Sequence, residues 1–261
     1  FSAGNDLKYT AEISRLPREQ RPDLSWPAGG FGGVTHRFDL FKPTIARVNG
    51  FALGGGLEMA LWCDIIVAAE HAELGLPEPR RGLIAGAFGV HRLPRQLHLK
   101  QAMGDLLTGR HIPARRAYEL GLVNEVVPLA QLDEAEDAWV ADLVRCAPLS
   151  VRATKEAAMR GLEMPLPEAA VARYEWEMRR RTSQDAIEGP RAFAEKRAPN
   201  WQGKEPVSSP RSAATRGRPR RGRPARRVRA RRGRRRFAPR GPGAASRPVR
   251  RQRRGPNAGR R

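Results

Sequence analysis

The sequence from residue 49 to residue 64 reads N-G-F-A-L-G-G-G-L-E-M-A-L-W-C-D. It follows a predicted strand at 44–48, and a helix is predicted over 54–62 with three glycines at its start. Glycine lets a ligand approach the backbone closely, and the first turn of a helix leaves N–H groups without partners. The helix start is therefore a candidate site for a negatively charged oxygen, with Glu58 just inside it. Close packing is the alternative explanation of the same glycines.

The segments after this motif alternate strand-like and helical patterns. Residues 64–69 form a continuous apolar run, which is typical of a strand buried on both faces of a parallel sheet. One helix is predicted to end at Gly109 and the next to run from Pro113 to Gly121, because proline favours helix starts and glycine favours helix ends. The first of these helices has apolar residues spaced for one face, namely Leu99, Ala102, Met103, Leu106 and Leu107.

The pattern changes in the second half of the chain. A strand-like run at 122–127 is followed by an almost wholly helical pattern from 129 to 198. Strands that alternate with helices, followed by a run of helices, predict an α/β core with a helical C-terminal part.

A second carboxylate stands in the tripeptide Leu76-Pro77-Glu78. Proline biases the residue before it toward an extended conformation, so Glu78 is expected on a rigid turn after a short strand at 73–76. Two carboxylates in one cleft form a standard acid–base pair. The spacing of Glu58 and Glu78 does not show that they meet, and a solvated surface Glu is the alternative interpretation of Glu78.

The first eight residues, F-S-A-G-N-D-L-K, predict the end of a strand, a tight turn and the start of a helix. Asp6 is the expected N-cap of that helix. Lys8 is either a phosphate contact or an ordinary surface lysine.

The formal net charge of +22 comes entirely from the end of the chain. Residues 211–261 contain 22 Arg and no Asp or Glu, so the 27 basic residues elsewhere equal the 27 acidic ones. This Arg-, Gly-, Pro- and Ala-rich segment has too little apolar surface to fold and is predicted to be disordered. Two interpretations stay open: an arm that contacts nucleic-acid phosphates, or an artefact of a shifted reading frame in GC-rich DNA. The single aromatic residue, Phe237, gives little support to base stacking.

The remaining composition argues against several classes of protein. Cys63 and Cys146 are too few for a disulfide framework, and both are expected to be buried thiols. No His/Cys cluster has metal-ligand spacing, so no metal site is predicted. No apolar run reaches the ~18 residues of a membrane span, and no signal peptide is visible. Because the chain begins at Phe1 rather than Met, a preceding segment is expected to be missing, and the cytoplasm is the default location.

Several stretches, in this order along the chain, resemble the enoyl-CoA hydratase (crotonase) family. They are the first eight residues, the 49–64 motif, G-L-P-E-P-R-R-G-L-I-A-G-A-F-G at 75–89, L-T-G-R at 107–110 and G-L-V-N at 121–124. The resemblance covers residues 1–203. Three further stretches look like the carnitinyl-CoA (crotonobetainyl-CoA) dehydratase branch of the family, namely G-G-F-G-G-V-T at 29–35, S-Q-D-A-I-E-G-P-R-A-F-A-E-K-R at 183–197 and N-W-Q-G at 200–203.

The resemblance implies a fold class and a domain organisation. Residues 1–145 would form the α/β spiral core of the crotonase (ClpP/crotonase) fold. Residues 146–204 would form a C-terminal helical trimerisation part, in a homotrimer or a hexamer. Residues 205–261 would be the disordered tail.

The resemblance also implies roles at matching positions. The backbone N–H groups of Asn5 and Gly55 would form the oxyanion hole for the thioester carbonyl. Glu58 would deprotonate the water that attacks C3, and Glu78 would deliver a proton to C2. Gly86, at the start of the next helix, would line the water site. The residues that would bind coenzyme A and the substrate are Ala3, Asp6, Leu7 and Lys8.

Within the family that the chain resembles, the presence of both carboxylates implies a hydro-lyase that adds water reversibly to a 2-enoyl-CoA thioester, and the resemblance to the dehydratase branch favours a carnitinyl-CoA-like substrate. No cofactor is implied, because coenzyme A is part of the substrate. The alternatives are an enoyl-CoA isomerase, an acyl-CoA hydrolase, an inactive relic, and nucleic-acid binding through the tail. Aromatic faces can attract a quaternary ammonium, and the candidates are Trp26, Phe31, Phe38 and Phe41. Core or lid packing is the more frequent explanation of such residues.

Two departures from the family are expected to matter. Family members begin several dozen residues earlier, with strands that pair beside Phe1–Gly4, so this chain is expected to be less stable than a longer form. Phe88 stands where the family usually has glycine. Its ring either narrows the acyl pocket or points to solvent, and Phe88→Gly is expected to widen the range of substrates.

Overall fold

The computed structural model describes residues 1–23 and 25–204, so the predicted disorder of the tail falls outside the described part. The strands are β1 (Ile45–Val48), β2 (Ala52–Leu53), β3 (Ile65–Ala69), β4 (Glu73–Gly75), β5 (His111–Pro113) and β6 (Glu125–Val127). The helices are α1 (Leu7–Ser14), α2 (Gly55–Trp62), α3 (Gly89–Gln96), α4 (Leu99–Thr108), α5 (Ala114–Glu119), α6 (Leu132–Arg145), α7 (Pro148–Gly161), α8 (Leu166–Val171), α9 (Glu175–Arg181) and α10 (Asp185–Ala194).

The six strands form two three-stranded sheets, which confirms the predicted α/β core. The first sheet has the order β1-β3-β6 and is parallel throughout. In the second sheet β2 pairs with β4 in parallel, and β4 pairs with β5 antiparallel. Ser2 adds a parallel bridge beside Ala52. Its N–H donates to the Phe51 carbonyl at 2.8 Å, and its own carbonyl accepts from the Leu53 N–H at 3.0 Å.

Strand β3 is buried on both faces, as its continuous apolar run predicts. Ile66 and Ala68 belong to the main hydrophobic cluster, which includes helix α2. Val67 and Ala69 point the other way and pack with Leu132 of α6. Fully burying an aliphatic side chain stabilises a fold by about 1.5–3 kcal/mol, so both layers contribute substantially. The first C-terminal helix, α6, is therefore part of the core.

Helix α4 buries a narrower face than the sequence predicts. Ala102 is fully buried and Leu106 packs against the main cluster, but Leu99 and Leu107 are exposed. Met103 is exposed too. The helix and its end at Gly109, which has a φ of +61°, are as predicted. Only the part of the apolar stripe that faces α3 and the main cluster is covered.

The remaining helices match the helical pattern of the second half of the chain. Helix α6 ends at Arg145, next to the predicted boundary, and α7 to α10 follow it. The Glu156 carboxylate of α7 is fully buried and accepts a hydrogen bond from the Trp176 backbone N–H at 2.6 Å. Both cysteines are free thiols, but Cys146 is exposed, so its predicted burial is wrong. Within residues 1–23 and 25–204, no helix is long and apolar enough to cross a lipid bilayer.

Candidate active site

The start of helix α2 places its backbone amides and Glu58 at one end of the small sheet. The residue before the helix, Gly54, has a φ of +54°, a conformation that favours glycine. Its N–H donates to the Gly75 carbonyl at 2.9 Å, which fixes the helix start to the end of β4. The same strand end leads into the turn that carries Glu78. The fold thus brings both predicted carboxylates to the start of one helix.

Glu58 is a buried carboxylate, with a residue exposure of 4%. Its Oε1 atom accepts a hydrogen bond from the Gly89 backbone N–H at 2.8 Å. Burial raises the pKa of Glu58 to about 7, against the lowering effect of backbone hydrogen bonds from Gly89 and Ala87. The negative charge of Glu78 adds a further upward contribution. A carboxyl group with a pKa near neutral pH is suited to exchange protons with a substrate.

Glu78 lies at the start of a short 3-10 helix, Glu78–Arg81, directly after Pro77. A methyl group built on Gly54 would lie 3.0 Å from its Oε1 atom, so the carboxylate reaches the start of α2. Its Oε2 atom is buried and has no hydrogen-bond partner within the described residues. Burial raises the pKa of this carboxyl group as well. An oxygen buried without a partner is suited to bind a proton or a polar group of a ligand.

The backbone amides of Asn5 and Gly55 are close to each other and have no hydrogen-bond partner within residues 1–23 and 25–204. Gly4 has a φ of +86°, and a methyl group there would lie 3.0 Å from the Gly55 nitrogen. Among the residues that the structure describes, neither the Asn5 N–H nor the Gly55 N–H donates a hydrogen bond. Two unpaired amides beside two carboxylates are suited to stabilise a negatively charged oxygen during proton transfer.

The residues after Asn5 form the predicted helix start. The Asp6 side chain accepts hydrogen bonds from the N–H groups of Lys8 at 2.8 Å and Tyr9 at 3.2 Å, which confirms the predicted N-cap of α1. Ala3, Leu7 and Lys8 are exposed on the same stretch. The capping contacts explain Asp6 without a ligand. Whether these four residues bind coenzyme A stays a prediction.

Gly86 is not at the start of a helix, and that prediction is wrong. It lies in an exposed turn, and α3 begins three residues later at Gly89. A methyl group on Gly86 would lie 3.6 Å from the Trp26 ring. The amides that contact Glu58 belong to Ala87 and Gly89, which sequence reasoning missed. The small residues of the stretch A-G-A-F-G at 85–89 are the one sequence signal for a tight turn at this point.

Residues 26–38, which we call the covering segment, lie over the start of α2. The Phe31 ring packs directly against Gly55. A methyl group added to Gly55 would lie 2.5 Å from a carbon atom of that ring. Trp26 contacts His36 edge to face, with the ring centroids 5.4 Å apart. Of the four candidate aromatic residues, Phe41 is buried, and its ring lies under the Arg160 guanidinium. Phe41 therefore serves packing, whereas Trp26 and Phe31 adjoin the carboxylate site.

Phe88 has a positive φ of 78°, which is uncommon for a residue with a side chain. Its ring contacts His36 and Phe38 of the covering segment edge to face, with centroid distances of 4.9 and 5.5 Å. The Arg92 guanidinium lies 5.1 Å from its ring centroid. The half-buried ring therefore packs against the covering segment and does not point freely to solvent.

The positive φ at Phe88 predicts an order of stability for two variants. Both Phe88→Ala and Phe88→Gly remove the ring, but only alanine must adopt the left-handed conformation with a Cβ atom. We expect the free energy of unfolding of Phe88→Ala to be about 1 kcal/mol smaller than that of Phe88→Gly. Urea unfolding followed by circular dichroism measures the difference. Equal stability of the two variants would contradict the left-handed conformation.

An acid–base carboxylate pair beside two unpaired amides is suited to an enzyme that moves protons while it stabilises a negatively charged oxygen. Residues 1–204 match the enoyl-CoA hydratase/isomerase family, and the chain belongs to that family. Carnitinyl-CoA dehydratase from Salmonella typhi is 43% identical over an alignment of 211 residues, and the match covers 78% of this chain and 77% of that protein. Carnitinyl-CoA dehydratase from Citrobacter koseri is also 43% identical, with the same coverage.

Solved structures of the same family share the fold. An enoyl-CoA hydratase from Mycobacterium tuberculosis H37Rv has a TM-score of 0.69 and 39% identity, covering 77% of this chain and 76% of that one. An enoyl-CoA hydratase from Mycobacterium marinum has a TM-score of 0.70 and 38% identity, covering 78% and 77%. These matches confirm the predicted crotonase-like fold and the predicted enzyme class, a hydro-lyase of the hydratase/dehydratase type.

Proposed function

We propose that Glu58 and Glu78 together add water across the double bond of a 2-enoyl-CoA thioester and remove it again. The observation that carries this proposal is the buried carboxylate pair beside the unpaired amides of Asn5 and Gly55. Those amides would bind the thioester oxygen as it becomes negative, and one such donor contributes about 3 kcal/mol. Acid–base catalysis by the carboxylates adds roughly 10²–10⁴-fold. Coenzyme A is part of the substrate, and these steps use no further cofactor.

The pair works with one shared proton. In hydration, ionised Glu58 takes a proton from the attacking water while Glu78 delivers its proton to C2. In dehydration, protonated Glu58 gives its proton to the departing hydroxyl while Glu78 removes the C2 proton. Burial raises the pKa of both carboxyl groups, which favours one proton held by the pair. With that proton on Glu78 the pair starts hydration, and with it on Glu58 the pair starts dehydration.

This shared proton predicts a bell-shaped pH profile. Loss of the proton from the pair removes activity, so kcat/KM is expected to fall above about pH 7, where the raised pKa of Glu58 lies. Binding of a second proton removes the base and lowers activity at acidic pH. Adding water neither consumes nor releases protons, so kcat/KM must have the same profile in both directions. Initial rates with an enoyl-CoA and its 3-hydroxy product test both points. A profile that keeps rising beyond pH 9 would contradict the shared proton.

We propose a carnitinyl-CoA-like substrate with a trimethylammonium group, because two curated relatives carry that substrate class in their names. The Arg92 guanidinium already lies over the rings of Phe38 and Phe88. The rings of Trp26 and Phe31 therefore remain as the candidate cation sites beside the carboxylates.

The substrate proposal is tested by kcat/KM for crotonobetainyl-CoA and crotonyl-CoA, side by side. A cation over an aromatic face contributes about 1–2 kcal/mol, so the charged substrate should be favoured by roughly 5- to 30-fold. Trp26→Ala or Phe31→Ala should reduce that preference and spare the rate with crotonyl-CoA. Faster hydration of crotonyl-CoA by the unmodified enzyme would reject the carnitine-type substrate and leave the hydratase activity in place.

The proposal includes a cytoplasmic homotrimer, or a hexamer of two trimers, with subunit contacts through the C-terminal helices. Large apolar side chains are exposed on or next to these helices, including Leu162, Leu166, Val171, Ile187 and Phe193. Large apolar side chains left exposed in this number support a protein interface. Sedimentation analysis measures the mass of the particle, and a monomer at micromolar concentration would reject the trimer.

A further inference from the structure

The side chain of Arg92 connects the turn that holds Glu58 to the covering segment. Arg92 lies on α3, three residues after Gly89. Its Nη2 atom donates to the Thr35 carbonyl at 2.7 Å, and its Nη1 atom donates to the Ala87 carbonyl at 3.4 Å. The guanidinium also lies 5.1 Å from the Phe88 ring centroid. Arg92 has no carboxylate within ion-pair distance in the part of the chain that the structure describes.

The Ala87 residue is held from two sides. Its N–H faces the Glu58 carboxylate and lowers the pKa of that group, and its carbonyl accepts the hydrogen bond from Arg92. The next residue, Phe88, adopts the positive φ that turns the Gly89 N–H onto the same carboxylate. The left-handed conformation is unfavourable for a residue with a side chain, so contacts around the turn must offset its cost. Arg92 supplies two of them, a hydrogen bond to the carbonyl before Phe88 and a cation–π contact with its ring.

We propose that Arg92 is a positioning residue for Glu58: it fixes the turn whose amides bind the Glu58 carboxylate, joins that turn to the covering segment, and places a fixed positive charge near the acid–base pair. The inference rests on the proposed role of Glu58. It goes beyond that role because Arg92 contacts neither the reacting carboxylate nor the unpaired amides within hydrogen-bond distance.

The charge of Arg92 acts on Glu58 even without a direct contact. Burial lowers the pKa of Arg92, the charge of Glu58 raises it again, and guanidinium stays protonated in proteins. Its positive charge in turn lowers the pKa of Glu58, against burial and the charge of Glu78. Two further titratable groups, the imidazoles of His36 and His91, contact the Phe88 ring.

Two substitutions separate the charge from the hydrogen bonds. Arg92→Met removes both, so the alkaline limb of the kcat/KM profile should move up by roughly half a pH unit or more, because Glu58 loses the charge that favours its ionised form. Arg92→Lys keeps the charge but cannot bridge two carbonyl groups with a planar fork. It should lower kcat by about 10-fold, as expected for a misplaced catalytic group, with a smaller shift of the limb.

The experiment compares the pH profiles of the full chain and of the variants Arg92→Met, Arg92→Lys and Arg95→Met. Arg95 lies on the same helix, is exposed, and its guanidinium donates to the His91 carbonyl, so its variant controls for loss of a surface charge. Circular dichroism establishes that each variant is folded. The inference is supported if the alkaline limb of the kcat/KM profile moves only in the variant in which Arg92 loses its charge. It is overturned if Arg92→Met leaves the limb unchanged or if Arg95→Met moves it equally.

A readout that does not need turnover separates this inference from the proposed function. Carbon-13 NMR of Glu-labelled protein follows the titration of the Glu58 carboxyl group, with Glu58→Gln to assign the signal. If the unmodified chain hydrates no enoyl-CoA, the proposed function fails, but a higher pKa of Glu58 in Arg92→Met still supports the electrostatic role of Arg92. An unchanged titration in Arg92→Met rejects that role, whatever the activity of the unmodified chain.

Discussion

Replacing Glu58 with glutamine is expected to lower kcat for hydration by about 10²–10⁴-fold and to increase stability at pH 8. The amide has the shape of the carboxylate and still accepts hydrogen bonds from Ala87 and Gly89, but it cannot exchange a proton with water. The folded-state pKa of Glu58 is raised to about 7. The unfolded chain has a lower pKa at Glu58, so it ionises this group before the folded protein does. The free energy of unfolding therefore falls as the pH rises above the unfolded-state pKa, and the loss is complete above pH 7. Glutamine removes this cost, so activity and stability should move in opposite directions.

The two effects are measured as kcat with crotonyl-CoA and as the midpoint of urea unfolding at pH 8. Glu70→Gln is the matched control, because Glu70 is exposed and lies at the end of β3, away from the site. The control should change neither quantity. A Glu58→Gln variant that retains a tenth or more of the activity would contradict the role of Glu58 as the base. A Glu58→Gln variant that is less stable than the unmodified chain at pH 8 would contradict the claim that the buried, ionised carboxylate destabilises the fold.

The Gly56→Ala variant is expected to damage both folding and catalysis. A methyl group on Gly56 would lie 2.0 Å from the Ser2 carbonyl oxygen, which is backbone and cannot rotate away. Overpacking of this kind costs about 1–3 kcal/mol of unfolding free energy. The displaced residues lead directly to Asn5, whose N–H would bind the thioester oxygen. Loss of that one donor should lower kcat by about 10²-fold in the molecules that still fold.

Gly104→Ala is the matched control for the Gly56 variant. Gly104 lies inside helix α4 and has no atom within 4 Å of an added methyl group. Alanine in a helix interior is favoured over glycine by roughly 0.5–1 kcal/mol, so this variant should be slightly more stable and fully active. Urea unfolding and kcat measure both variants in parallel. Equal behaviour of the two would show that the contact between Ser2 and α2 does not support the site.

The carboxylate site could be predicted because its parts lie in short local motifs. A glycine-rich helix start exposes amides wherever it occurs, so Gly55 and Glu58 could be singled out directly. Proline before Glu78 indicated its rigid turn. That the two carboxylates meet depends on the pairing of β2 with β4, which brings Gly54 to Gly75 across 21 positions of sequence. Such pairing is a tertiary property that spacing along the chain does not contain.

The turn at 85–89 shows where sequence reasoning failed. The family resemblance implied a helix start at Gly86, but the backbone uses Phe88 in the left-handed region and begins the helix at Gly89. A residue with a side chain adopts that conformation only when its surroundings stabilise it, here through the contacts of its ring with Arg92 and the covering segment. Those contacts join distant parts of the chain. The exposed apolar residues of α4 were misjudged for a similar reason, because helical spacing does not tell how wide a face the core covers.

The central claim is that the Glu58 and Glu78 pair adds one molecule of water to an enoyl-CoA. The direct measurement is mass spectrometry of the product formed from crotonyl-CoA in water enriched in oxygen-18 and deuterium. The unmodified chain is expected to yield a 3-hydroxy thioester with one heavy oxygen at C3 and one deuterium at C2. The double variant Glu58→Gln, Glu78→Gln should yield none. Free coenzyme A, an isomer with a moved double bond, or hydration by the double variant would contradict the account.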